Sequence, residues 1–317
     1  MNNTEINLAE LPLLKIENLS VSFGSKNAPQ VLQDFNLDIF EGDKIAVIGE
    51  TGSGKSVMLL AVLKLLPKNA TVQGSAFFKN RNLLNLDRRT LNTIRGKEIS
   101  YIPQGSGNSL NPLLKVGYQV GEPLIIHYGY SKKNAEAEAV NLLHKFNLGN
   151  EEERAVQYPH TYSGGMKQRA MIAMGISAGA HLIFADEPTK GLDSRRLKMV
   201  EQAFKLLKEE TYVCVTHDLN FAKNISKKLC VMHSSYSVEI GLTEEVFAKP
   251  YHPYTEDIIR AMPENGLQYK AKSMQRPVYE TGCRYAPNCE YAFEKCKQTP
   301  PMIEIEKNRK VRCWKYA

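Results

Sequence analysis

The sequence predicts an α/β fold: a β-rich start, a helical insert, then strands and helices in alternation. Three observations carry that expectation. Ile45-Ala46-Val47-Ile48 is apolar on both faces of a strand and runs into a Gly-rich turn and an apolar helix. Short apolar runs at 182–185, 212–216 and 229–232 follow later, with a helical stretch at 195–209 between the first two. The alternation stops near Pro250 and Pro253, which predicts a boundary between residues 1–250 and a smaller unit at 251–317.

The elements follow in order. Residues 13–23 alternate through Ile16, Leu19, Val21 and Phe23, as a half-buried strand does. A turn-rich stretch at 24–29 precedes short strands at 36–39 and 44–48, which Glu41-Gly42-Asp43 separates. Residues 55–66 read as a helix closed by Pro67, and 99–102 as a strand. An amphipathic helix is expected at 131–146, capped by Ser131, with Val140, Leu143 and Phe146 on its apolar face. Residues 166–177 continue the helical section.

Composition narrows the class. The chain of 317 residues is 43% hydrophobic and 24% charged, ordinary for a globular protein and wrong for a disordered or collagenous one. Its longest apolar run, 57–63, falls far short of the ~20 residues that span a bilayer. The N-terminus carries Glu5 and Glu10 and no basic segment, so no secretory signal is expected. The net charge of +7 suits an anionic ligand and argues only weakly for nucleic acid.

Gly49-Glu50-Thr51-Gly52-Ser53-Gly54-Lys55-Ser56, followed by Val57, fits G-x-x-x-x-G-K-[ST] in the strand-to-helix context the motif needs. Glycines let successive backbone N–H groups turn inward toward phosphate oxygens, and the helix N-terminus adds positive potential. Lys55 is placed for the β- and γ-phosphates and Ser56 for Mg²⁺. Asp186 and Glu187 end an apolar strand, where two carboxylates can serve a bound Mg-nucleotide. Read alone, such a pair is as easily an acidic strand end on the surface.

Further residues fall in a telling order. Ser163-Gly164-Gly165-Met166 opens a helix ahead of Asp186 and offers a second set of bare N–H groups. Gln104 follows a strand end, Lys190-Gly191-Leu192-Asp193 follows the acidic pair, and His217 stands after a later strand. Over residues 13–250 this arrangement resembles ATP-binding cassette (ABC) proteins. It departs from their usual pattern at Tyr162, Met166 and Lys190-Gly191.

The resemblance implies a P-loop ABC nucleotide-binding domain with a RecA-like core, an antiparallel β subdomain and a helical subdomain. It also implies that Phe23 stacks on adenine, that Ser56, Gln104 and Asp186 place Mg²⁺, that Glu187 activates water and that His217 contacts the γ-phosphate. Ser163, Gly164, Gly165 and Asp193 would complete a nucleotide site across a dimer.

Asn108-Ser109-Leu110-Asn111-Pro112, His252-Pro253-Tyr254-Thr255 and the segment from Gly282 to Cys313 resemble the oligopeptide, dipeptide and nickel importer branch, and the loop from Gly49 to Val57 with the short N-terminus resembles the first ATPase subunit of its pair. That likeness implies a peripheral ATPase at the cytoplasmic membrane face. Its partners would be a second, different ATPase, two membrane permeases and an extracytoplasmic binding protein, with no nucleic acid. A soluble ABC ATPase acting on nucleic acid or ribosomes is the alternative, and a non-ABC P-loop kinase a more distant one.

Cys283, Cys289, Cys296 and Cys313 are spaced C-x5-C-x6-C-x16-C. Four thiolates can hold zinc or a [4Fe–4S] cluster, or they can be plain structural thiols. The absence of C-x2-C pairs disfavours a zinc ribbon, and the resemblance points to the cluster.

Overall fold

The computed structural model describes residues 11–24, 28–105, 109–266 and 281–317, and every count below is of these residues. The chain starts with β1 (Leu14–Phe23), β2 (Gln30–Ile39) and β3 (Lys44–Gly49), then α1 (Lys55–Val62), β4 (Ala70–Phe78), β5 (Arg81–Asn82) and α2 (Arg88–Ile94). After β6 (Ile99–Ile102) comes a helical section, α3 (Val116–Tyr128), α4 (Lys132–Lys145), α5 (Glu151–Ala155) and α6 (Gly164–Ile176). Strands and helices then alternate: β7 (Leu182–Asp186), α7 (Ser194–Lys205), β8 (Thr211–Thr216), α8 (Leu219–Ile225), β9 (Lys228–His233) and β10 (Tyr236–Leu242). The chain closes with α9 (Thr243–Ala248), α10 (Pro253–Arg260), β11 (Ile303–Glu306) and β12 (Arg309–Val311).

Two sheets organise these elements. The antiparallel sheet runs β2-β1-β4-β5, and the larger runs β11-β12-β10-β9-β3-β8-β7-β6. From β9 to β6 the larger sheet is parallel, and β10, β12 and β11 extend it antiparallel. β3 sits at its centre and, like β8 and β7, is almost wholly buried, which is why these strands read as unbroken apolar runs. One apolar core lies between the two sheets around α1, and a second lies under α3, α4 and α6. A third packs α8, α9 and α10 on β9 and β10 and includes Tyr285.

Local chemistry explains the boundaries. Ser131 caps α4 by accepting from Asn134 N at 3.2 Å, as expected. The helix expected at 55–66 ends at Val62: Lys64 adopts φ 50 and spends its ammonium on the Leu84 and Leu86 carbonyls. The helix expected at 195–209 starts one residue earlier and ends at Lys205. α3 was not expected at all, because Gly117, Gly121 and Pro123 argue against a helix. The two glycines are needed for packing. A Cβ at Gly117 would sit 2.8 Å from Ala155, and one at Gly121 would sit 2.5 Å from the Ala135 carbonyl.

β9 and β10 form a hairpin in which His233 pairs with Tyr236, leaving Ser234 and Ser235 as the turn. Both serines have positive φ, 44 and 77. Such a turn favours Asn-Gly, and each non-glycine residue there costs roughly 1–2 kcal/mol. The C-terminal segment lies against this hairpin. β12 pairs with β10 at Glu239 and Ile240, and the Arg309–Glu239 ion pair (2.6 Å) is fully buried.

Candidate active site

The site gathers at one end of β3, β7 and β8. Gly49 has φ 153, and a Cβ there would meet the Met232 carbonyl at 2.2 Å, so β9 leaves room only for glycine. Gly54 has φ 100, and a Cβ there would meet the Val31 carbonyl at 2.6 Å. Between them Glu50, Thr51, Gly52 and Ser53 curl into a loop, with Ser53 N donating to the Glu50 carbonyl at 3.1 Å. Lys55 is buried at the start of α1 and donates to the Gly49 and Glu50 carbonyls at 2.7 and 2.9 Å. Val57 turns away and packs on the core between the sheets.

Two side-chain clusters stand beside the loop. In the first, Ser56 Oγ donates to Asp186 Oδ1 at 2.7 Å, and Tyr101 OH donates to Asp186 Oδ2 at 3.0 Å. Burial and the adjacent Asp186 carboxylate both push the Tyr101 phenol above its usual range, so it stays a donor. Tyr101 is the residue the sequence reading gave no role. Only the β6–β7 register, which sets Tyr101 opposite Phe184, brings it to the carboxylate. A hydroxyl and a carboxylate oxygen in contact are the hard donors Mg²⁺ takes, with waters completing its shell, so these residues fit the ion.

In the second cluster, His217 Nδ1 lies 2.6 Å from Glu187 Oε2, and Lys55 Nζ lies 3.9 Å from Glu187 Oε1. Glu187 is buried and has φ 46, a conformation a glutamate adopts only when its surroundings impose it. Its backbone N–H donates to the Val215 carbonyl at 2.9 Å, which fixes the bend after β7. His217 is exposed, carried on the turn that leads from β8 into α8.

The remaining expected residues lie elsewhere. Gln104 is exposed beyond β6, next to the undescribed residues 106–108, so Asn108 lies outside the described residues. Phe23 is partly buried against the core between the sheets. Ser163 caps α6 by accepting from Met166 N at 3.3 Å, and Gly164 and Gly165 open that helix in the helical layer. Asp193 caps α7 through Arg196 N at 2.9 Å and is exposed. Tyr162 is buried, and its hydroxyl donates to the Arg154 carbonyl at 2.9 Å, so this departure serves helical packing.

Cys283, Cys289, Cys296 and Cys313 are free, half-buried and line one small cavity with Pro253, Tyr285, Phe293 and Trp314. Burial pushes the Cys283 thiol up to about 11, and its three cysteine neighbours add to the effect. Among the described residues, no three His, Cys, Asp or Glu side chains are placed to hold a metal ion. The donors fit a thiolate-ligated group in number and kind, but their present geometry does not close on a single ion.

The family described as ABC transporter matches residues 32–190, and the oligopeptide/dipeptide transporter C-terminal region matches 238–296. The chain is 34% identical to the oligopeptide transport ATP-binding protein OppD of Haemophilus influenzae (strain ATCC 51907 / DSM 11121 / KW20 / Rd), covering 96% of this chain and 97% of that protein. It is 35% identical to the dipeptide transport ATP-binding protein DppD of the same organism, covering 96% and 95%. Among solved structures, the dimeric ATP-binding cassette MJ0796 bound to ADP and Pi aligns with a TM-score of 0.65 and 29% identity. That alignment covers 73% of this chain and 98% of that one. A phosphate loop flanked by an Asp–Ser pair and a Glu–His pair is thus matched by kinship along nearly the whole chain, and the protein belongs to the ABC transporter family of ATPases.

Proposed function

We propose that this chain is the ATP-hydrolysing subunit of a membrane importer for peptides, working at the cytoplasmic face of the membrane. The observation that carries the ATPase reading is the buried Glu187 held by His217 beside Lys55. The peptide reading rests on the relatives named oligopeptide and dipeptide transport ATP-binding proteins and on the matching C-terminal region. A nickel or other metal chelate is the lesser cargo.

Lys55 and the loop N–H groups neutralise the β- and γ-phosphates. Ser56 and Asp186, in contact at 2.7 Å, would hold Mg²⁺, which would supply further charge neutralisation, and Gln104 is the third Mg²⁺-placing residue in this reading. Glu187 accepts a proton from water as its oxygen attacks the γ-phosphorus and the bond to the bridging oxygen breaks, leaving ADP. His217 orients Glu187 and faces the γ-phosphate. Phe23 is the residue that stacks on adenine in this reading.

Ser163, Gly164 and Gly165 open α6 and Asp193 caps α7, and in this reading they serve a site shared with a second ATPase. That second subunit is a different chain in this reading, and the pair drives two permeases fed by an extracytoplasmic binding protein. Among the described residues no helix is long and apolar enough to cross a membrane, so the permeases are separate chains in this reading. Their docking face in this reading is the groove near Gln104 to Val116. There Leu113 is 81% exposed and Val156 56% exposed, and Gln119 shapes the loop by bonding Asn111 and Leu114.

The division into 1–250 and 251–317 is kept as a functional one. In the second part the four thiols would hold a [4Fe–4S] cluster, with zinc as the alternative, which would act as a staple rather than in hydrolysis. Their convergence on one cavity without a disulfide supports this reading. Co-purification tests the whole proposal: Glu187→Gln with Mg-ATP should trap this chain with a second ATPase and permeases. A chain that stays alone while saturated with nucleotide, beside every candidate mate, would refute it.

A further inference from the structure

The phosphate loop is braced from behind. Ser235 N donates to the Ser53 carbonyl at 3.2 Å, and Gln33 N donates to the Ser235 carbonyl at 2.9 Å. The turn that makes these contacts has two serines at positive φ, a conformation their side chains do not favour. Something outside the hairpin must therefore hold it.

Arg284 does so. Its Nη1 donates to the Ser234 carbonyl, its Nη2 donates to Gln33 Oε1 at 2.7 Å, and its guanidinium lies 4.8 Å from the Tyr236 ring centroid. Arg312 supports the same ring at 5.0 Å, donates to the Ser237 carbonyl at 3.1 Å and reaches Asp34 Oδ2 at 2.8 Å. One planar fork thus ties the turn to β2, and the turn ties both to the loop. Lysine offers no such fork.

We propose that Arg284 is a positioning residue for ATP binding: it fixes the turn at Ser234 and Ser235, and that turn fixes the Ser53 carbonyl and the phosphate loop. The proposal rests on the reading of residues 49–56 as the phosphate loop. It extends the nucleotide site into the C-terminal segment, on the residue next to Cys283. Arg284 touches no reacting atom, so it acts on affinity and leaves Glu187 and His217 as they are.

The test uses the full chain, with Mg-ATP affinity measured by calorimetry and hydrolysis by phosphate release. Arg284→Ala should weaken Mg-ATP binding about tenfold and raise KM to match, with kcat at saturation within about twofold of the parent. Arg309→Lys loosens the same segment without touching the turn and should leave affinity unchanged. In the Arg284→Ala background, the pair Ser234→Asn and Ser235→Gly favours the turn by itself and should restore affinity.

Should Arg284→Ala fail to fold, Arg284→Lys gives the reading instead, with a partial loss expected and parental affinity overturning the proposal. Parental affinity in Arg284→Ala, an equal loss in Arg309→Lys, or no rescue by the Asn-Gly turn would each overturn it too. If the parent chain itself fails to bind Mg-ATP, the phosphate-loop reading falls first.

Discussion

The Glu187 carboxylate and the His217 imidazole meet at 2.6 Å across the ends of two neighbouring parallel strands, β7 and β8. In the proposed mechanism this contact couples the base to the side chain that faces the γ-phosphate. Glu187→Gln should retain Mg-ATP binding and lower turnover by roughly 10²–10⁴-fold. His217→Ala should also slow turnover while sparing affinity. Single-turnover phosphate release checks both, and normal rates in Glu187→Gln would mean that another group takes the proton.

Tyr101 fixes the second oxygen of Asp186. Outer partners of a metal-binding carboxylate typically matter by 10–100-fold. Tyr101→Phe should therefore raise the Mg²⁺ concentration for half-maximal hydrolysis roughly tenfold, with ATP affinity in excess Mg²⁺ little changed. A Mg²⁺ titration of the ATPase rate decides it.

His252 gives the fold a pH dependence. It is buried, accepts from Tyr254 N through Nδ1 at 3.1 Å, and is pushed down to about 3 by burial first and by neighbouring His233 second. The unfolded chain takes up this proton near the ordinary value of about 6.5, well before the folded chain does. Its contribution to stability is therefore complete above about pH 6.5 and shrinks as pH falls toward the folded value, by about 2 kcal/mol at pH 5. His252→Asn keeps a helix-capping side chain and removes the titration. Urea unfolding at the two pH values should show that this variant loses about 2 kcal/mol less than the parent between pH 7 and 5. An unchanged slope would place the titration elsewhere.

The four thiols make a compositional prediction. Chain purified without oxygen should carry roughly four irons and four acid-labile sulfides and be brown. Replacing Cys296 by serine should bleach it and lower its melting temperature while leaving Mg-ATP affinity intact. Colourless protein with equimolar zinc would assign the site to zinc, and metal-free protein of full stability would leave the thiols as packing.

The loop at 49–56, the acidic end of β7 and the place of His217 after β8 were legible because each is a short local pattern at the end of a buried apolar strand. Ser131 as a cap was legible for the same reason. α3 was not, since its glycines and proline are explained only by Ala135 and Ala155 arriving from other helices. β4 and the closing strands were missed because their pairing is long-range: β4 on β1, and β12 on β10. The Tyr101–Asp186 bond depends on sheet register, and the arginines on β2 and a distant hairpin, so no spacing announces them. The helix at 55–66 overran because apolar periodicity continues through Leu65 and Leu66, whereas the backbone turns at Lys64.

β12 covers the flank of β10, and β11 then lies outermost with Glu304 and Glu306 turned to water. Like-signed carboxylates along a margin deter another strand from adding there. A chain clipped ahead of Ile303 would lose both strands, guard included, and bare a row of unpaired amides and carbonyls on β10. Such a fragment would stick to its own kind and precipitate while its catalytic residues remained chemically whole.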